Sequence, residues 1–185
     1  MASASEHFTE SWISMNFSKF LLPFLAAVIL LIPACVQYSF TGTSIPSNVR
    51  TVYIPFFPDN SQSGLGDLSD RLNTALINRF VNQSRLSLNN DRDGADSWME
   101  GNIQSYRNRP FSVGGDEQAN LNEIQIVVRA TFQFADSDDP EYSKTFSGSA
   151  TYDVLENPVD GEIEAAEAAL QQIANNAFND AVSNW

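Results

Sequence analysis

Hydrophobic and polar positions along this chain switch between two periods, and the switches mark its elements. Thr51 to Phe57 alternates, with Val52, Ile54 and Phe56 on one face, which is the period of a strand. Pro58 to Gly66 is a run of turn residues. Leu68, Leu72, Ala75, Leu76 and Phe80 then recur at helical spacing, with Asp67 placed to cap the helix they predict, which runs to about Gln83. Arg85 to Leu88 is a candidate short strand before the acidic turn Asn89 to Asp96. Trp98 to Arg107 alternates again, with Met99, Gly101 and Ile103 on one side and Glu100, Asn102 and Gln104 on the other.

Asn108 to Leu121 reads as a polar loop with Gly114-Gly115 at its tip. The cleanest strand follows, Ile124 to Phe134, with Ile124, Ile126, Val128, Ala130, Phe132 and Phe134 on one face. Asp136 to Glu141 turns the chain, and Thr145 to Tyr152 repeats the pattern with Thr145, Ser147, Ser149 and Thr151 outward. Asn157-Pro158 is a plausible start for a long terminal helix striped by Ile163, Ala166, Leu170, Ile173, Ala177, Ala181 and Trp185. The predicted order is β-α-β-β-β-α. One-sided strands and one-sided helices in that order predict an α+β two-layer sandwich, a four-stranded mixed sheet with two helices packed on one face.

The first 34 residues follow a different logic. Phe20 to Ile32 is an uncharged, mostly apolar run preceded by Lys19 and followed by Pro33, Ala34 and Cys35. The run is shorter than the ~20 residues that span a bilayer core. A basic start, a short apolar stretch and a small residue at a cleavage point describe a secretory signal. Ile32-Pro33-Ala34-Cys35 resembles a bacterial lipobox, in which the cysteine is acylated and becomes the first mature residue. Met15 to Ala34 alone makes a conventional signal, so Met15 is an alternative start. The expected organisation is a signal at 1–34, a lipidated tether at 35–48 rich in Ser, Thr, Gly and Pro, and a folded domain at 49–185.

Composition then narrows the chemistry. The 185 residues carry 10 basic and 23 acidic side chains, one His and one Cys. A net charge of −13 argues against a nucleic-acid partner, which needs a basic stripe. Lys19, Glu6, Glu10 and His7 all precede Cys35, so the mature chain has 9 basic and 21 acidic side chains and no His. Ser-His and Cys-His nucleophile pairs are then unavailable. A carboxylate pair is the one catalytic arrangement left open, and no such pair stands out. No catalytic residue and no cofactor is expected.

Two local patterns carry candidate chemistry. Asn89, Asp91, Asp93, Gly94, Ser97 and Glu100 fall on positions 1, 3, 5, 6, 9 and 12 of an EF-hand loop. Asn89 replaces the usual first aspartate, Asp96 sits at an apolar position, and neither flank reads as a helix. A solvated acidic turn is therefore expected, and no metal site. Arg107 and Arg109 stand together just before Pro110, where two guanidinium groups can grip a phosphate or carboxylate; a solvated strand end is the plainer alternative. Arg129, on the polar face of the cleanest strand, is the third candidate for ligand binding.

Several stretches together resemble the LptE family of lipopolysaccharide-assembly lipoproteins, in its Bacteroidetes-type branch. They are Cys35-Val-Gln-Tyr-Ser-Phe-Thr-Gly42, Ser44-Ile-Pro46, Thr51-Val-Tyr-Ile-Pro-Phe-Phe57, Glu100-Gly-Asn-Ile-Gln-Ser-Tyr106, Asn122-Glu-Ile-Gln-Ile-Val-Val128 and Phe178-Asn-Asp-Ala-Val-Ser-Asn-Trp185. The resemblance implies a periplasm-facing outer-membrane lipoprotein anchored through Cys35 to the inner leaflet. It implies a role as a plug and assembly aid inside the β-barrel LptD, which delivers lipopolysaccharide to the outer leaflet. The alternative function is a lipid-anchored periplasmic module that binds a glycan or peptidoglycan fragment.

Overall fold

A computed structural model describes residues 45–111 and 120–183. The expected signal segment, Cys35 as the expected acylation site, most of the expected tether, the Gly114-Gly115 tip and Trp185 lie outside the described residues.

Five strands and two helices follow in order: β1 (Thr51–Tyr53), α1 (Leu68–Ile77), β2 (Ser87–Leu88), β3 (Ser97–Phe111), β4 (Leu121–Phe134), β5 (Tyr142–Asp153) and α2 (Asp160–Ser183). They form one mixed sheet in the order β2-β1-β3-β4-β5. β1 runs parallel to both β2 and β3, while β3, β4 and β5 are antiparallel neighbours. The sheet therefore has five strands rather than four, because Ser87–Leu88 adds a short edge strand through the Ser87 N–H to the Arg50 carbonyl and the Asn89 N–H to the Val52 carbonyl.

Both helices cover the same face. Leu68, Leu72, Leu76 and Phe80 join Ala166, Leu170, Ile173 and Ala177 in one core with the inward residues of β3, β4 and β5. Phe80 ties the layers together, its ring 5.8 Å from Phe132 of the sheet and 5.1 Å from Phe178 of α2. The alanine-rich stripe of α2 lets it come close to the edge strand. At Gly148 of β5 even a Cβ would lie 2.1 Å from the Ala169 carbonyl oxygen, so only glycine fits. On β4 the inward set Ile124, Ile126, Val128, Ala130, Phe132 and Phe134 is fully buried, as its alternation predicts.

Several boundaries differ from the sequence reading, each for a local reason. β1 stops at Tyr53, because Pro55 has no N–H to continue a ladder. The alternation breaks there too: Phe56 is exposed and Phe57 takes the buried place over Gly101. Asp67 precedes α1 but makes no side-chain cap; its carboxylate accepts bonds from Arg71 Nε and Nη2 at 2.9 and 2.7 Å instead. Past Ile77 the helix widens into a π-helical stretch, Asn78–Asn82, closed by the Gln83 N–H on the Asn78 carbonyl. α2 begins at Asp160, two residues after Pro158. The supposed polar loop from Asn108 is strand as far as Phe111, and β4 already begins at Leu121, since the two arms pair up to Phe111 opposite Leu121.

Candidate functional site

With both helices on one side, the other face of β3, β4 and β5 is left open, and one irregularity decides what it displays. The β3–β4 register shifts between Ile103 and Ser105, so Gln104 is an extra, unpaired residue. Before this bulge, Met99, Gly101 and Ile103 point to the helices, in register with Phe132, Ala130 and Val128. After it the parity is reversed. Tyr106 and Asn108 now stand opposite Ile126 and Ile124 on the helix side, while Arg107 and Arg109 stand opposite Gln125 and Glu123 on the open side. Had the alternation of Met99, Gly101 and Ile103 run on with Gln104 paired and no bulge, both arginines would point toward the core.

On the helix side Tyr106 is half-buried against the edge of the core, and Asn108 beyond it is exposed. Tyr106 donates to Glu162 Oε1 of α2 at 2.7 Å, and burial together with that carboxylate pushes its phenol well above the usual tyrosine range. Asn108 Nδ2 donates to the Tyr152 hydroxyl at 2.7 Å, and Asn122 Nδ2 donates to Asn108 Oδ1 at 2.7 Å. Polar groups taken from water here are thus paired.

The three predicted arginines share the open face without meeting at one point. Arg107 and Arg109 are two residues apart on β3, about 7 Å, whereas Arg129 lies four β4 positions from the partner of Arg107, about 14 Å along the sheet. Their states differ as well. Arg109 is clamped, Nε and Nη2 both donating to Glu123 Oε2 at 2.9 and 2.7 Å. Arg129 donates to the Ser143 hydroxyl at 3.3 Å. The Arg107 side chain has no hydrogen bond or ion pair to another of the described residues, and neutral Gln125 stands opposite it. Glu123 was not singled out in the sequence, because its partner depends on the loop length and the bulge.

Around the arginines the face is mostly uncharged and polar, with Asn102, Gln125, Thr131, Ser143, Thr145, Ser147, Ser149 and Thr151, and its apolar members are Val127 beside the bulge and the Phe111–Leu121 pair at the far end. Its charged residues on these strands are Arg107, Arg109 and Arg129 against Glu100, Glu123 and Asp153, which cancel. In a chain of net charge −13 that neutrality is local. Most of the other described acids are on the helices (Asp70, Asp160, Glu162, Glu164, Glu167, Asp180), at the start of α1 (Asp67) and in the loops at the Ser97 end of β3.

The EF-hand-like stretch is a set of side-chain turns. Asn89 Oδ1 accepts from the Asp91 N–H at 2.9 Å, and Asp91 Oδ1 from the Asp93 N–H at 3.2 Å. Asp96 faces away from the loop and fastens β1: its Oδ2 accepts from the N–H groups of Arg50 and Thr51 and from the Thr51 hydroxyl at 2.8 to 2.9 Å. The Arg50 amide and the Thr51 hydroxyl hold its carboxyl below the usual aspartate range. Among the described residues no three acidic side chains converge to hold a metal ion.

On the opposite side of the molecule α1 and α2 bound a groove of about 470 Å³. Its guanidinium groups are occupied: Arg71 bridges Asp67 and Glu167, and Arg79 stacks 3.8 Å over the Phe178 ring. No helix among the described residues is long and apolar enough to cross a membrane.

Comparison with known proteins agrees with this architecture. Among solved structures, a protein from Xanthomonas campestris aligns with TM-score 0.55 at 11% identity, covering 77% of this chain and 91% of that one. A minor lipoprotein from Acinetobacter baumannii aligns with TM-score 0.48 at 13% identity over 73% and 94% of the two chains. A lipoprotein B from Nitrosomonas europaea gives 0.42 at 16% over 76% and 94%. At 11% identity the likeness to the Xanthomonas protein is one of fold alone. No curated protein matches the chain at a significant level. The model of the LptE family, described as lipopolysaccharide-assembly, matches residues 49–184, the whole sandwich from two residues before β1 to the end of α2. The chain belongs to the LptE family of lipopolysaccharide-assembly proteins.

Proposed function

We propose that the chain is the lipid-anchored, periplasm-facing subunit of an outer-membrane lipopolysaccharide translocon, occupying the lumen of an LptD-type β-barrel and assisting its assembly. The observation that carries this reading is the open sheet face, long, mostly polar and balanced in charge in an acidic protein. The inner wall of a large barrel is itself polar, so a neutral hydroxyl and amide surface fits against it without stranding buried charge.

The anchor in this reading is Cys35, acylated after removal of residues 1–34. The described chain begins at Ile45, beside Arg85 and at the Ser97 end of β3, where Asn48 bonds Asp136. Arg107 and Arg109 lie ten or more residues further along β3, about 34 Å from that end. A membrane tether at one end thus leaves the arginines at the other, where Arg107 can take a phosphate of the passing glycolipid. The family is one of non-enzymatic assembly proteins, and the residues here supply binding surfaces in keeping with that.

Gentle affinity purification of the full lipoprotein from outer membranes tests the reading. A near-stoichiometric barrel of translocon size is expected. Recovery of the acylated chain alone, in several detergents, would sink it. Cys35→Ala should leave the protein soluble in the periplasm and deplete it from the outer membrane.

A further inference from the structure

The two long sides of the sheet are finished differently. On one side β1 reaches β3 only at Ser97 and Trp98, with a single further bridge from Asp59 to Ile103. Beyond that point β3 carries the Gln104 bulge, Arg107, Arg109 and Pro110. Bulges, charges and proline are the devices that keep an edge from pairing with another strand. On the other side β5 is the last strand, 12 residues long and paired with β4 without a register shift. It has no proline, and its charged residues are Lys144 near one end and Asp153 at the other.

Two hydrogen bonds fix which way the β5 backbone points. Just past the strand, the Val154 N–H donates to the Asn120 carbonyl at 2.8 Å. The Ser149 N–H instead donates to Gln172 Oε1 of α2 at 3.1 Å. Direction alternates along an antiparallel ladder, so the even-numbered residues bond β4. Ser143, Thr145, Ser147, Ser149 and Thr151 therefore turn their N–H and C=O groups outward. Among the described residues, Ser149 alone of these five has its N–H taken up by another element.

The spacing of these groups says what the edge can take. Donors and acceptors recur about 7 Å apart over about 27 Å, a repeat that another extended polypeptide matches and a sugar or phosphate does not. A second copy of this chain does not fit. α2 lies beneath β5 along its length: Asp180 bridges to Lys144, a Cβ at Gly148 would lie 2.1 Å from the Ala169 carbonyl oxygen, and one at Gly161 would lie 3.1 Å from Tyr152. Two copies joined edge to edge would set two such helices under strands about 4.8 Å apart, where packed helices take about 8–10 Å. The occupant is thus a strand with no helix beneath it. The outward residues also carry hydroxyls of the open face, so an added strand widens the surface already read as lying against the barrel.

We propose that the outer edge of β5 takes up an extended segment of the barrel protein as a sixth strand of the sheet, with Gln172 holding the Ser149 N–H until that strand displaces it. A closed barrel wall has no free strand edge, so the segment is a loop or tail of that protein. This rests on the barrel reading above and adds to it a main-chain contact.

The test uses full-length acylated protein, purified from outer membranes beside its variants through the same detergent washes. Ser147→Pro removes an outward N–H that the fold does not use, and proline is tolerated on such an edge. It should retain about tenfold less barrel with cooperative melting preserved, and Thr145→Pro should do the same. Ser147→Ala keeps the N–H and should retain barrel to within about twofold of the wild type. Hydrogen exchange on the unmodified protein needs no variant: the amides of Thr145, Ser147 and Thr151 should exchange quickly in the free chain and slowly in the complex. Gln172→Ala should speed exchange at Ser149 in the free chain only. Wild-type retention by folded proline variants, an equal loss in Ser147→Ala, or equally fast exchange in the complex would overturn the added strand while leaving the barrel reading intact. If the wild type itself retains no barrel, the underlying reading fails.

Discussion

Arg109 and Glu123 face each other across β3 and β4, with both guanidinium donors on a single carboxylate oxygen at 2.9 and 2.7 Å. Two residues away Arg107 has only neutral Gln125 opposite it. Among the described residues one arginine of the pair has a charged partner and the other has none, although the sequence places them side by side.

Glu123→Gln should release Arg109 and give the proposed glycolipid two adjacent cations. The expected result is severalfold tighter binding of lipopolysaccharide by the purified protein, most marked at low salt. Arg107→Ala should weaken binding by a similar factor. Stability should change by less than about 1 kcal/mol, since the ion pair is on the surface. Titration of both variants at two ionic strengths checks the direction, and equal affinities would remove the arginines from the binding surface.

Gly148→Ala should destabilise the fold by about 2 kcal/mol or more, because the new methyl meets the Ala169 backbone and α2 must move off β5. Denaturant unfolding measures it. A loss below 0.5 kcal/mol, taken as roughly the scatter of surface substitutions, would mean that the helix gives way freely.

Asp96 should make stability depend on acid. Its carboxyl is held below the ordinary aspartate value of about 3.9, so its contribution is fully present above that value and is lost as the pH falls through the lower folded one. Asp96→Asn keeps the shape but not the charge, and should cost about 1–2 kcal/mol at pH 7. The gap between variant and wild type should narrow as the pH falls from the ordinary aspartate range and close below the lower folded value. A pH series of unfolding curves shows whether it does.

Leu170→Asp should abolish cooperative unfolding, since Leu170 is fully buried in the α2 stripe and nothing among its apolar neighbours can pair a carboxylate. Wild-type melting by this variant would contradict the core described here.

Much of the architecture was legible in the chain because burial imposes a period on it. In β4 the six inward residues from Ile124 to Phe134 are all buried, and the α2 stripe from Ala166 to Ala181 is too. Such patterns report which side of an element is apolar, and that alone implies two layers. Phe56 shows the limit: alternation assigned it to the core, but Pro55 ended the strand and Phe57 took the buried place.

The sequence by itself determined the element order, the apolar faces, the acidic excess and the lack of His beyond residue 34, because each is a property of composition or short-range spacing. Only the tertiary structure decided which side of the sheet Arg107 and Arg109 occupy, that Glu123 neutralises one of them, and that the charges of the open face cancel. Those outcomes depend on a one-residue bulge at Gln104 and on the pairing of strands that the chain separates by ten residues or more. In a ladder of period two a single extra residue reverses every side chain beyond it, and local spacing carries no trace of that reversal.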